Sequence, residues 1–329
     1  MIVFGPVPSR RLGRSLGINN IPPKACSYSC VYCQVGPTNR RETEPRSFYT
    51  PDEILSDVKS SMEAADRAGE RIDYLTFVPD GEPTLDSRLN ETIENLRSLD
   101  VPIAIISNAS LIWREEVRKT LAMADWVSLK VDAIDESLWR RINRPDATLD
   151  HQAILDGMMS FAGEFKGALV TESMFVMGLN DTEKAAKEIG GFLSKLEPKT
   201  AYLSVPTRPP TEKNVCAPDE STLNRIFQII NKQVIDVELM TGYEGNAFSS
   251  TCNVMEDLLS ITAVHPMREE AVQALLSKTG TNWSLVERLI KEHKLLQTEY
   301  EGRKFYVRRL RQQAKDKEKH IEVERLCID

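Results

Sequence analysis

No apolar run in this chain approaches the about 18–20 residues that a membrane-spanning helix requires. The start, MIVFGPVPSRR, is too short and too broken by proline to serve as a secretion signal. Both absences lead to the expectation of a soluble, cytoplasmic protein. Internal repeats and low-complexity segments are also missing, which excludes solenoids and disordered tracts as the organising architecture. Residues 1–41 contain no acidic side chain, although Arg10, Arg11, Arg14, Lys24, Arg40 and Arg41 lie there. An anionic partner is therefore expected near the front, despite a net charge of −7 for the whole chain. Residues 303–319 form a second basic stretch, in which Arg303, Lys304, Arg308, Arg309, Arg311, Lys315, Lys317 and Lys319 outnumber Asp316 and Glu318.

What is present is ordinary globular material, 41% hydrophobic and 28% charged over 329 residues, enough for a barrel-sized domain and a small appendage. From residue 15 to about residue 240, short apolar runs alternate with longer amphipathic stretches. That pattern predicts repeated strand–helix units around a parallel sheet. The expected strands are SLGIN (15–19), YLTFV (74–78), IAIIS (103–107), WVSLKV (126–131), ALVTESMFV (168–176), AYLSV (201–205) and DVELM (236–240). Helix starts are marked at Thr50-Pro51-Asp52-Glu53, Asn180-Asp181-Thr182-Glu183 and Pro218-Asp219-Glu220-Ser221. Six or seven such units favour an open or partial (β/α) barrel, with chemistry at the carboxyl ends of the strands.

After about residue 252 the pattern changes to two amphipathic helices (268–279 and 282–293) and two short strands around Glu301-Gly302. Gly280-Thr281-Asn282 supplies the turn and Trp283 opens the second helix, an arrangement that resembles a winged helix-turn-helix. The expected division is a barrel over 1–252, a winged-helix-like domain over 253–310 and a charged helical tail over 311–329.

Six cysteines without an export signal do not read as a disulfide scaffold, and three of them crowd into Lys24-Ala-Cys26-Ser-Tyr-Ser-Cys30-Val-Tyr-Cys33. This segment follows the first expected strand, which puts the thiols on a loop at the sheet's carboxyl end. Structural zinc normally takes four ligands, but His151, His265, His293 and His320 are all distant and no fourth cysteine is near. On a [4Fe-4S] cluster, three thiolates leave one iron open to a ligand that is not protein. Cys216, Cys252 and Cys327 are isolated and are expected to be packing residues, although Cys216 and Cys252 fall in loops near the site. Met174, Met177, Met240, Met255, Trp126 and Trp139 are expected in the core.

Cys-x3-Cys-x2-Cys with an aromatic before the last cysteine resembles the signature of the radical S-adenosylmethionine (SAM) superfamily. The resemblance implies a partial (β/α)6-type radical SAM barrel in an α/β fold, with a [4Fe-4S] cluster held by Cys26, Cys30 and Cys33 and with SAM on the open iron. Reductive cleavage of SAM would then give a 5′-deoxyadenosyl radical, with flavodoxin or ferredoxin as electron donor. It further implies that Tyr32 lies near the adenine and that Asp80-Gly81-Glu82 corresponds to the Gly-Gly-Glu segment at the SAM amino group. Ser107 and Asn108 would contact the SAM carboxylate or ribose, and Ser128 and Lys130 would face the site from the fourth expected strand. Glu172 and Arg208 are weaker candidates. More finely, PSRRLGRSLGIN, DGEPTL, VTESMFVMGLND and PTRPP together resemble the branch of wyosine-type tRNA-base synthetases, over residues 4–250. That branch implies tRNA or another RNA as substrate. Radical modification of a protein or peptide, and an iron–sulfur sensor that binds DNA without turnover, are the alternatives.

Overall fold

The structure is a computed structural model that describes residues 2–38, 40–212, 214–241, 254–264, 266–300 and 302–309. Its centre is an eight-stranded sheet in the order β1 to β8, in which every strand neighbours the next in sequence. β1 (Val3–Ser9) pairs antiparallel with β2 (Gly13–Ile18). From β2 onward all neighbours are parallel: β3 (Tyr74–Phe77), β4 (Ile103–Ser107), β5 (Trp126–Lys130), β6 (Ala168–Met174), β7 (Thr200–Ser204) and β8 (Val237–Met240). The crossovers are α1 (Pro51–Arg67), α2 (Leu89–Arg97), α3 (Glu115–Leu121), the pair α4 (Glu136–Asn143) and α5 (His151–Glu164), α6 (Glu183–Leu196), and α7 (Glu220–Asn231). This makes six β/α units followed by β8, and among the described residues β1 and β8 are the edges of the sheet.

The seven expected strands are all present, and β1 was not foreseen. Pro6 and Pro8 in VFGPVPS argue against a strand, but an edge strand with a bulge between Phe4 and Val7 accommodates both. The helix starts behave as their chemistry predicts. Thr50 accepts from the Glu53 backbone while Glu53 reaches back to Thr50, and Thr182 and Asp219 cap α6 and α7. One apolar layer, including Ile54, Val58, Ile93, Leu96, Ile189 and Leu193, seals the helices on the sheet. Each such fully buried side chain contributes roughly 1.5–3 kcal/mol. On the sheet's other face, Leu12, Ala104, Trp126, Val170, Tyr202 and Met240 form a separate buried apolar cluster.

The last part of the chain builds its own core. α8 (Val254–Val264), β9 (Met267–Arg268), α9 (Glu269–Lys278), α10 (Ser284–Lys291), β10 (Leu295–Tyr300) and β11 (Arg303–Arg308) surround Leu258, Met267, Val272, Leu275, Leu289 and Tyr306. The sheet order is β10-β11-β9, antiparallel throughout. The expected helices and hairpin are there, together with α8 and β9, which the sequence did not suggest. Val7 of β1 packs on this core, Lys278 pairs with Glu70 at 2.5 Å, and the Tyr300 hydroxyl donates to the Pro206 carbonyl at 3.2 Å. Cys252, Cys327, His265, His320, Glu301 and the tail over 311–329 lie outside the described residues. No helix among the described residues is long and apolar enough to cross a membrane.

Candidate functional site

The loop that leaves β2 carries Cys26, Cys30 and Cys33, all half-buried and unpaired. Three backbone attachments hold it over the sheet's carboxyl end. Lys24 N donates to Asp80 O at 2.9 Å and Glu82 N to Ala25 O at 3.0 Å, which zips the segment after β3 onto the loop. Ser29 N and Val31 N donate to the carbonyls of Asn143 and Ile142 at 3.0 and 2.9 Å, which fastens the loop to the end of α4. Glu212 N donates to Val31 O at 3.2 Å, and Thr211 Oγ1 to Cys33 O at 2.6 Å, so the segment after β7 folds across it.

Gly81 makes the first attachment possible. A Cβ there would lie 1.9 Å from the Ala25 carbonyl oxygen and 2.8 Å from its carbon, both backbone atoms that cannot yield without moving the loop. Gly81→Ala is therefore expected to lower the melting temperature by several degrees, since overpacking costs about 1–3 kcal/mol. The same substitution is expected to reduce the iron retained after anaerobic reconstitution. A variant with wild-type melting and iron content would show that the contact is dispensable.

Two amides face the sulfurs. Asn108 Nδ2 lies 3.5 Å from Cys26 Sγ and also donates to Ser27 Oγ at 3.1 Å. Asn143 Nδ2 lies 3.4 Å from Cys30 Sγ and 2.7 Å from Asp132 Oδ2. Burial raises the Cys26 thiol well above its usual range and raises Cys30 to about 12, with neighbouring anionic groups adding to burial in each case. Left alone these thiols stay neutral, and a bound cation is what would make them thiolates. Among the described residues, no three His, Cys, Asp or Glu side chains meet at a point that would hold a single metal ion. A cubane places its thiolates on separate irons, so a three-cysteine loop of this kind suits a cluster better than zinc.

The remaining expected residues fall into two groups. Glu82 is fully buried, and its carboxylate accepts four hydrogen bonds: Thr84 N at 3.2 Å, Thr84 Oγ1 and Ser107 Oγ at 2.7 Å, and Asn108 N at 2.7 Å. It sits beside the site without facing into it, and it fixes Ser107 and Asn108, which were expected there. Asp80 is 5% exposed, and its Oδ1 has no hydrogen-bond partner. Burial raises the Asp80 carboxyl to about 7, opposed by Lys24 and Arg308. Tyr32 is buried with its hydroxyl on Asp132 and its ring 5.1 Å from Lys130 Nζ.

Lys130 and Glu172 are register partners on β5 and β6 and pair at 3.0 Å. Arg11 reaches the other Glu172 oxygen at 2.7 Å from the β1–β2 turn, and Ser204 donates at 2.9 Å. Arg208 donates to Gln34 on the cysteine loop. Ser128 is buried in β5, two positions before Lys130, and no side-chain hydrogen bond links it to another described residue. The front basic segment is likewise engaged internally, with Arg11 on Glu172, Arg14 on Glu70, Lys24 on the Gly36 carbonyl and Arg41 on the Arg144 carbonyl. Cys216 is half-buried, directly after Val215, which packs in the same apolar cluster as Val31 and Cys30, and its carbonyl accepts from Met177 N. Sequence reasoning missed Asn143, which ends α4 just before Arg144-Pro145, because an Asn at a helix end reads as a cap.

Burial alone would raise the Glu172 carboxyl, but Lys130 and Arg11 outweigh it and hold this group well below the usual carboxylate range. Because the folded value lies below the unfolded one, about 4.3, the stabilisation is present in full above the unfolded value and is lost progressively as pH falls from there through the folded value. The melting temperature of the wild type is thus expected to fall more steeply between about pH 6 and pH 3 than that of Glu172→Gln. Equal slopes would contradict the pairing.

A model of the Radical SAM superfamily matches residues 20–192, a span that holds the cysteine loop and the segments after β3, β4 and β5. A UPF0026 protein of Methanocaldococcus jannaschii is 46% identical over 317 residues, which is 96% of this chain and 98% of that one. Among solved structures, a radical SAM methyltransferase from Sphaerobacter thermophilus aligns with a TM-score of 0.53 at 16% identity, over 69% of this chain and 66% of that one. TYW1 with a lysine–pyruvate adduct bound aligns with a TM-score of 0.52 at 14% identity, over 67% and 74%. At these identities the structural likenesses establish the fold alone.

Proposed function

Since this chain belongs to the radical SAM superfamily and is an enzyme, we propose that Cys26, Cys30 and Cys33 hold a [4Fe-4S] cluster whose fourth iron takes SAM. The observation that carries this reading is the three-thiol loop with Asn108 and Asn143 aimed at two of its sulfurs. When bound, the cluster and SAM supply reductive cleavage of the S–C5′ bond and a 5′-deoxyadenosyl radical. The rest falls to the chain's own residues. Asp80, with an unpartnered buried oxygen, is suited to the SAM ammonium. Ser107 and Asn108, fixed by Glu82, are placed for its carboxylate or ribose. Tyr32 walls the side nearest Lys130. Lys130, Glu172 and Arg11 form a charged floor with more positive than negative charge, with Arg11 lying over the Trp126 and Tyr202 rings of the apolar cluster.

The substrate we favour is RNA, in keeping with the wyosine-type resemblance. The division into a barrel over 1–252, a winged-helix module over 253–310 and a tail over 311–329 belongs to the same reading. The order helix–strand–helix–helix–strand–strand supports the winged-helix assignment. So does the β10–β11 hairpin, which exposes Arg303 and Lys304 as phosphate contacts would require. The exposed face of α10 mixes Glu287 with Arg288 and Lys291, which gives a protein substrate its own support. The deciding experiment incubates the reconstituted enzyme with SAM, reductant and either bulk tRNA or a cell-derived peptide pool. Stimulation of 5′-deoxyadenosine release by tRNA supports RNA, and stimulation by peptides alone overturns it.

A further inference from the structure

Beside the cysteine loop, on the side of α4, lies an open groove of about 520 Å3 whose lining includes Val31, Arg140, Arg141, Arg144, Met177 and Val215. We propose that this groove is the landing site of an acidic one-electron carrier protein that reduces the cluster, an inference that rests on the cluster assignment above. Its floor is apolar. Val31, Val176 and Val215 are buried members of the same apolar cluster on which Cys30 packs. Val31 stands between Cys30 and Cys33 in the chain and lines the groove, so the groove borders the thiol loop itself. That border is held rigidly, since Ser29 N and Val31 N are hydrogen-bonded to the end of α4 and Val31 O accepts from Glu212 N.

The rim is positive. Arg140, Arg141 and Arg144 are all exposed, and Glu212 is the single acid in the lining. Arg144 pairs with Glu212 at 2.5 Å and Arg140 with Glu136 at 2.8 Å, while Arg141 has no ion pair with a described residue. Arg41 joins the cluster through the Arg144 carbonyl at 3.2 Å. Met177, expected in the core, is instead 53% exposed on the groove's lip. Arginine and methionine around an apolar floor suit a protein partner with acidic groups around an apolar centre. A nucleic acid is the poorer fit, because no aromatic side chain lines the groove to stack a base.

SAM cleavage of the kind proposed consumes one electron, which has to come from outside the chain. In the docked pair one electron leaves the carrier, which is oxidised by one unit, and enters the cluster, which is reduced by one. No bond is made or broken on this chain, and no proton moves. Such encounters are small, steered by charge and weakened by salt.

The test uses the full chain, reconstituted anaerobically, with an acidic flavodoxin and its reductase as the probe carrier. Arg141→Glu and Met177→Asp alter the groove without touching the cysteine loop or the SAM-facing residues. Flavodoxin-driven formation of 5′-deoxyadenosine is expected to fall about tenfold or more in Arg141→Glu, while the dithionite-driven rate stays at the wild-type level, because rim charges act on encounter. Calorimetry is expected to show a matching loss of flavodoxin affinity in both variants. Unchanged flavodoxin affinity and rate in both variants would overturn the proposal. So would loss of bulk tRNA binding with flavodoxin binding retained, which would make the groove an RNA surface. If dithionite yields no product even in the wild type, the cluster reading fails, and the calorimetry still decides the groove.

Discussion

Replacing Cys26, Cys30 or Cys33 singly with Ala is expected to bring iron after reconstitution from about four per chain to well below one, and SAM cleavage below detection. The size of the effect follows from the ligand count. A cluster held by three thiolates keeps only two protein bonds after any one loss, and the neighbouring groups offer no substitute. His151 stacks on Trp139 with ring centroids 4.5 Å apart, and Asp132 is committed to Asn143 and Tyr32. Burial raises the Cys26 and Cys30 thiols above their usual range, which disfavours their thiolates in the absence of a cation. Cys216→Ser is the matched control and is expected to retain both iron and cleavage, since this residue lies outside the Cys26–Cys33 spacing. Wild-type iron in any of the three alanine variants would sink the assignment. Iron analysis and chromatography of SAM products are the readouts.

Glu82→Gln is expected to weaken SAM binding by about tenfold or more while iron content stays near the wild-type level. Here the effect travels through positions, because the side chain is fully buried and already accepts four hydrogen bonds. An amide in its place turns one acceptor into a donor facing other donors. Hydrogen bonds to a charged group contribute about 1.5–3 kcal/mol each, so the variant is also expected to melt several degrees lower. The two losses belong together. The segment freed by the substitution is Ser107-Asn108, and Asn108 is the residue whose amide approaches Cys26 Sγ. Weaker SAM binding with unchanged melting would instead mean that Glu82 touches the ligand directly, and unchanged binding would remove it from the site.

Residue spacing made much of this legible. The cysteines were readable because their chemistry depends on close positions in one loop. The seven parallel strands were readable because each is a short apolar run between helical stretches. β1 escaped because its two prolines count against a strand unless the strand is known to be an edge. The sequence singled out Glu82 but could not show that its carboxylate turns inward to Ser107 and Asn108, 25 and 26 positions away. The Arg11–Glu172–Lys130 triad joins residues 161 and 42 positions apart, and it depends on a strand register that composition does not reveal. Asn143 was passed over and Met177 misjudged for a related reason: a helix-end Asn and a Met among apolar neighbours have ordinary local readings.

The most direct test of the central claim is anaerobic reconstitution with iron and sulfide, followed by SAM and dithionite and chromatography for 5′-deoxyadenosine and methionine. About four irons per chain and both products are the predicted result. Bound zinc with no product would contradict the account.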